Sequence, residues 1–293
     1  MKILVVINPR SGGGRGKEMG GKVRSYLQIS SHQNKFIEET SLGATLKNLD
    51  SALTVERFEI LICVGGDGFI HDILPICVAY GLKLLVIPAG TGNDFCRTMG
   101  SNEVDFKKLL ESPDRSSARA IDLGSIAHAG GETSFVQILS TGFDAVVNER
   151  ANNFKLIRGK LKYVVAVLLE IWRFKALDFK VVVDQEEISC KAMLVCIANG
   201  NSYGGGMKVV PHARNDDGIL DVMILEKLNR LSLLLVFPKV FSGKHVSHPK
   251  LRFYSGRRIQ IAGDTWAYAD GERISALPIE VSLSPNKLLV YTV

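Results

Sequence analysis

The chain has 293 residues, 46% hydrophobic and 23% charged, a globular balance that excludes a disordered or low-complexity chain and is long enough for two modest domains. Lys and Arg outnumber Asp and Glu by 36 to 30, for a net charge of +6, yet no basic block or recognition motif points to nucleic acid. Five cysteines without a CxxC pair exclude a disulfide framework or a thiolate metal cluster, and no run of 18 apolar residues is present to span a bilayer.

In chain order, Ile3 to Ile7 is a short β-branched run that ends at Asn8-Pro9, and Gly12-Gly13-Gly14 leads into a helix to about Leu27. The apolar run at the start is too short for a signal peptide, so a cytoplasmic protein is expected, with peripheral membrane association as the only membrane contact. Lys35 to Glu38 reads as a second strand, 43–57 as a helix, and Glu59 to Val64 as a third strand ending at Gly65-Gly66-Asp67-Gly68. A helix to about Tyr80 follows, and then a strand from Lys83 to Ile87 that ends at Pro88-Ala89-Gly90-Thr91-Gly92-Asn93-Asp94. Strands alternating with helices imply a parallel sheet with right-handed crossovers. After about Gly124 the strand-like runs follow one another directly, at 119–127, 134–139, 179–184, 190–198, 219–225, 257–262, 278–283 and 287–292. Helical stretches interrupt them near 159–175 and 230–242, where Pro238 bends or ends the second. The fold class expected is therefore α/β: a domain at 1–124, then an antiparallel β-sandwich domain at 125–293 whose last strand, 287–293, is free to return to the first domain.

Three glycine-rich segments, Asn8 to Gly14, Gly65 to Gly68 and Gly90 to Asn93, each follow a strand. In open α/β sheets ligands bind beyond the carboxyl ends of the strands, and glycine lets backbone amides approach phosphate oxygens there. One such loop is commonly only a tight turn; three on one sheet edge point to phosphate. Neither a P-loop nor GxGxxG is present: Ser11 stands where the P-loop needs glycine, Glu18 follows Lys17, and Lys17 or Phe95 takes the last glycine position of GxGxxG. Asp67 presents a carboxylate on bare backbone where phosphates would lie, a role that suits magnesium; the plain alternative is an aspartate chosen for turn geometry. Asp94 and Asp122 are weaker candidates of the same kind, readable as a helix cap and a strand end.

Asn8-Pro-Arg-Ser-Gly12, Gly65-Gly-Asp-Gly68 and Pro88 to Phe95 resemble the nucleotide-binding motifs of the diacylglycerol kinase catalytic family, in particular its soluble bacterial lipid kinases, relatives of sphingosine kinases. The resemblance continues through Ile121 to Gly124, Gly142 to Ala145, Ala198 to Gly206, Pro211 to Asp221, Gly243 to His245 and Tyr268 to Glu272. It implies a Rossmann-like first domain of the NAD kinase/diacylglycerol kinase type. ATP would be bound by Asn8, Ser11, Gly12, Thr40, Gly65, Gly66, Asp67, Gly68 and Thr91; the carboxylates read above, Asp67 and, through water, Asp94 and Asp122, would position Mg2+ beside it. It also implies a general base at Asp270 or Glu272, and a structural magnesium site on Asp217 with the main-chain oxygens of Arg214 and Ile219. A lipid hydroxyl, that of diacylglycerol first, would be the acceptor, entering between the two domains from the membrane surface; a homodimer is allowed but not determined. Phe69 and His71 depart from the family's usual Thr and Asn.

Other readings stand beside this one. Asp270-Gly271 is also a common hairpin turn. NAD kinases and phosphofructokinases use a Gly-Gly-Asp-Gly turn on soluble acceptors, and a homologue that binds nucleotide or lipid without catalysis is compatible with Phe69 and His71. His71, His212, His245 and His248 share no metal-ligand spacing. Lys160 to Lys175 is apolar around most of its circumference, which fits a helix packed on a sheet or one that meets lipid.

Overall fold

In the computed structural model, residues 101–117, 155–159, 285–286 and 292–293 are not described, nor are the side chains of residues 152 and 160–163. Two compact units emerge: Met1–Ile121 with Asn286–Val293, and Asp122–Pro285.

The first unit is built on a six-stranded sheet. Strands β1 (Lys2–Ile7), β2 (Gln33–Glu38), β3 (Ile60–Gly65) and β4 (Lys83–Pro88) are joined by helices α1 (Arg15–Ile29), α2 (Leu42–Val55) and α3 (Asp67–Ala79). The short helix α4 (Asp94–Thr98) follows β4, and β5 (Ala118–Ile121) closes this part of the chain. The strand order is β2-β1-β3-β4-β17-β5, where β17 (Leu288–Tyr291) comes from the end of the chain. It lies parallel to β4 and antiparallel to β5. Strands β1, β3 and β4 are buried almost throughout, as parallel strands covered on both faces must be. Gly16, Gly20, Val23 and Leu27 form the buried stripe of α1. Gly20 lies against Ile7 so closely that a Cβ there would sit 2.8 Å from that side chain.

The second unit holds an eleven-stranded antiparallel sheet. Its strands are β6 (Gly124–His128), β7 (Gly131–Phe135), β8 (Ile138–Gly142), β9 (Leu177–Val183), β10 (Glu186–Ala198), β11 (Leu220–Glu226), β12 (Leu251–Gly256), β13 (Arg258–Gly263), β14 (Trp266–Ala269), β15 (Glu272–Ala276) and β16 (Ile279–Leu283). One core gathers Phe135, Leu139, Val181, Val195, Ile259 and Val281 from across the sheet, so the sheet folds around its own interior in the manner of a sandwich. A second core packs helices α5 (Phe143–Asn153), α6 (Lys160–Glu170) and α7 (Arg230–Val236) together through Val147, Val167 and Leu233. Helix α7 ends at Val236, and a 3-10 stretch with Pro238 in its first turn carries the chain on to Ser242.

Local patterning misplaced several boundaries. The run 119–127 is two strands in different sheets, divided after Ile121, and 134–139 straddles β7 and β8. Helix α5 and strands β12, β14 and β15 were not legible. In α5 the polar residues Asn148, Glu149 and Arg150 interrupt the apolar stripe, β12 and β15 are edge strands with mixed burial, and β14 is only four residues long.

Candidate active site

Registers place the carboxyl ends of β1, β3 and β4 level, with Ile7 beside Val64 and Gly65 beside Pro88. The three glycine-rich loops therefore begin on one edge, and they touch. A Cβ on Gly12 would lie 2.2 Å from the carbonyl oxygen of Ala89, and one on Gly66 would lie 2.9 Å from the Cα of Gly90. Gly12, Gly13 and Gly14 all take positive φ, at 56°, 71° and 108°, which side-chain-bearing residues rarely adopt. Asn8 secures the first loop: its amide donates to Val64 O, its carbonyl accepts from Ser11 N, and its Oδ1 accepts from Arg10 N. Ser11 opens a 3-10 turn in the middle of this loop, Thr40 is exposed just past β2, and Thr91 is exposed at the tip of the third loop. The arrangement is a cradle that a Cβ would fill, which fits a phosphate chain.

Asp67 opens α3, and its Oδ1 accepts from Phe95 N at 3.0 Å, tying the second loop to the start of α4. Asp94 is buried and paired with Arg97, whose guanidinium also donates to Gly92 O. Asp94 is thus an anchor for the third loop rather than the cap of α4, a position held by Asn93. Asn93 itself escaped the sequence reading. It sits at φ 54° and donates Nδ2 to Gly90 O, while its buried Oδ1 has no protein partner. An orphaned acceptor beside the glycine cradle fits a hydroxyl, a water or a hydrated cation. The only sequence signal for it was an Asn after Gly-Thr-Gly, where a left-handed backbone is tolerated. Phe69 is buried, and its ring lies against Gly65, where a Cβ would come within 2.5 Å. Gly65 is therefore needed for packing under the loop. His71 is half-buried on the same helix.

Asp122 belongs to the second unit. Its Oδ2 accepts from Gly218 N at 2.8 Å, its amide donates to Asn215 O, and its carbonyl accepts from Asn199 Nδ2. The turn it grips contains the predicted structural site: Asp217 is exposed and accepts from Ile219 N at 3.1 Å, and Arg214 pairs with Asp216. Carboxylate and main-chain oxygens of this kind suit a hard cation. Among the described residues, no three His, Cys, Asp or Glu side chains come together as a metal-holding group.

The Asp270-Gly271 turn joins β14 to β15 with φ values of 51° and 92°, a primed two-residue hairpin. Asp270 and Glu272 behave differently. The Asp270 carboxylate accepts from the amides of Val136, Gln137 and Ile138 at 2.9, 2.9 and 3.3 Å, and its own amide donates to Ile138 O. Glu272 is exposed at the first position of β15. Asn199, fully buried, donates to Val136 O from the other side, which fixes the segment that Asp270 grips.

Residues 2–126 match the family described as the diacylglycerol kinase catalytic domain, and residues 137–292 match the YegS C-terminal NAD kinase beta sandwich-like domain. A diacylglycerol kinase of Mycobacterium tuberculosis is 31% identical over 294 residues, covering 99% of this chain and 94% of the relative. One from Staphylococcus saprophyticus is 27% identical, covering 94% and 90%. The chain belongs to the diacylglycerol kinase family. Its fold is that of a diacylglycerol kinase crystal structure from Bacillus anthracis, with a TM-score of 0.76 at 21% identity over 100% of this chain and 97% of that one.

As a member of the diacylglycerol kinase family the chain is a lipid kinase, and its second unit contains a feature suited to an apolar acceptor. An apolar chamber lies between α5, α6, α7 and the sheet, walled by Phe143, Val147, Tyr203, Met223, Leu233 and Phe237. Its polar wall consists of Asp144 and His245. Burial raises the Asp144 carboxyl above its usual range, against hydrogen bonds from Ser140, Tyr203 and Asn148. Burial lowers the His245 imidazole, which bonds Val209 O through Nε2 and leaves Nδ1 without a partner. Cys63, Cys77, Cys96 and Cys196 are buried thiols whose pKa burial pushes up, to about 12 for Cys77 and Cys96, so they are packing residues. No helix among the described residues is long and apolar enough to cross a membrane.

Proposed function

We propose that this enzyme transfers the γ-phosphoryl group of ATP to the free hydroxyl of diacylglycerol, giving phosphatidic acid and ADP. The observation that carries the nucleotide half is the backbone contact of the three loops, Gly12 on Ala89 and Gly66 on Gly90. The apolar chamber of the second unit supports a lipid acceptor over a soluble one.

The loops bearing Asn8, Ser11, Gly12, Gly65, Gly66, Gly68 and Thr91 orient the triphosphate through backbone amides, and Thr40 flanks them at the edge of β2. Asp67, with Asp94, Asn93 and Asp122 acting through water, would hold Mg2+, which would supply charge neutralisation at the phosphate oxygens. Glu272 takes the proton from the lipid hydroxyl. That oxygen forms the new bond to the γ-phosphorus as the bond to the bridging oxygen of ADP breaks. Asp270 has its oxygens engaged by three amides, so its part is to hold the turn that presents Glu272. Asp217, with the carbonyls of Arg214 and Ile219, would hold a second cation, whose role would be to stiffen the turn clamped by Asp122.

The test is ATP-dependent phosphate incorporation into diacylglycerol in mixed micelles, dependent on Mg2+. Turnover is expected to fall by about 100-fold or more in Asp67→Ala. Full activity of Asp67→Ala contradicts the metal assignment, and turnover of a soluble acceptor without any lipid contradicts the acceptor.

A further inference from the structure

Val164–Leu169 of α6 and Leu233–Val236 of α7 are apolar without a break, so both helices carry apolar residues on more than one face. Their inner residues Val167, Leu233 and Val236 are buried, which accounts for one face of each. Outward-facing Leu168, Leu169 and Trp172 remain 45%, 46% and 58% exposed, and Leu231 and Leu235, one turn apart on α7, remain 68% and 63% exposed. A surface helix packed on a core normally turns charged residues outward, and contiguous exposed leucines beside a tryptophan mark an interaction surface. Trp172 and Arg230 are in cation–π contact at 5.8 Å, which joins the end of the α6 segment to the start of α7.

The surroundings of this patch are basic. A groove floored by Ile171 and Phe174 is lined by Lys175, Lys191, Lys227 and Arg230. Of these Lys191 is shared with Asp178 at 3.7 Å. Residues 227–250 carry Lys227, Arg230, Lys239, Lys244 and Lys250 and contain no Asp or Glu. The one acid of α6 beside the patch, Glu170, is buried and paired with Arg150.

We infer that this face, Leu168, Leu169, Trp172, Leu231 and Leu235 with the Lys175–Lys191–Lys227–Arg230 groove, docks the enzyme on a bilayer of anionic phospholipid. Leucines and an interfacial tryptophan enter the acyl boundary, and the lysines and arginines meet the headgroup phosphates. A second copy of the chain is a poorer occupant, because a two-fold contact through this face sets like charges against each other. The same helices wall the apolar chamber with their inner faces, so docking brings the chamber to the membrane that supplies its lipid. The inference rests on the acceptor being a bilayer lipid, but its test reads binding without turnover, so the two fail separately.

The full chain, carrying Trp266→Phe so that Trp172 is the only tryptophan, is sedimented with phosphatidylcholine vesicles with and without phosphatidylglycerol. Binding is expected only with phosphatidylglycerol, with a blue shift of Trp172 emission and quenching by brominated acyl chains. Leu231→Ser with Leu235→Ser, and separately Lys227→Glu with Arg230→Glu, are expected to weaken binding by about tenfold or more. Both keep their thermal transition, and Lys47→Glu on α2 of the other unit binds as the parent does. Undiminished binding by both double variants overturns the inference. So does a Trp172 spectrum indifferent to vesicles, or a dimer that the leucine substitutions dissociate.

Discussion

Replacing Gly12 by alanine tests the cradle most directly, because Gly13 next to it supplies the control. The added Cβ at position 12 would stand 2.2 Å from Ala89 O, whereas an ordinary carbon–oxygen contact is about 3.3 Å. The first loop must therefore withdraw from the third by about 1 Å, a misplacement that costs on the order of 100-fold when it displaces reacting groups. Both positions also carry left-handed backbone strain of about 1–2 kcal/mol for a residue with a Cβ. Gly13→Ala meets nothing within 4 Å, so it carries the strain without the displacement, and alanine retains the amide in each case. The assay is kcat/KM for ATP at saturating lipid in mixed micelles, alongside urea unfolding of both variants. Similar stability losses are expected, with a drop of about 100-fold in kcat/KM for Gly12→Ala and a far smaller one for Gly13→Ala. Indistinguishable kinetics would show that the loop contact does not position the nucleotide.

Asp270→Asn places an amide donor among backbone N–H donors and is expected to cost about 2 kcal/mol or more of stability. Glu272→Gln, at an exposed position, is expected to abolish most turnover with its unfolding midpoint unchanged; the reverse pattern assigns the base to Asp270. Asp144 holds its proton more tightly folded than unfolded, so stability falls as pH rises from about 4 through the raised pKa and then levels. Asp144→Asn should remove that fall, so urea midpoints of variant and parent converge near pH 4 and separate as pH increases, and a constant offset at every pH would refute it. His245 is displaced the other way: the unfolded chain takes up a proton first as pH drops below about 6.5, and His245→Gln should lessen the loss of stability seen there.

Sequence alone determined what is local. Strand and helix periods announced an α/β half followed by a β half, and the glycine segments announced their loops, because a left-handed or crowded backbone demands glycine wherever it occurs. The motifs from Asn8 to Glu272 were enough to identify the family. Tertiary structure decided everything that depends on partners distant in the chain. That Gly12 meets Ala89 and Gly66 meets Gly90 follows from parallel registers, which no single loop encodes. Asp270 and Glu272 look interchangeable in a five-residue motif, but three amides more than 130 residues away claim one of them and leave the other exposed. The run 119–127 divides between two sheets because Ile121 pairs with Leu288 and Gly124 with Phe135 and Leu283. Local sequence records the conformations a segment tolerates; which surface satisfies its hydrogen bonds and apolar faces is settled only when the whole chain has packed.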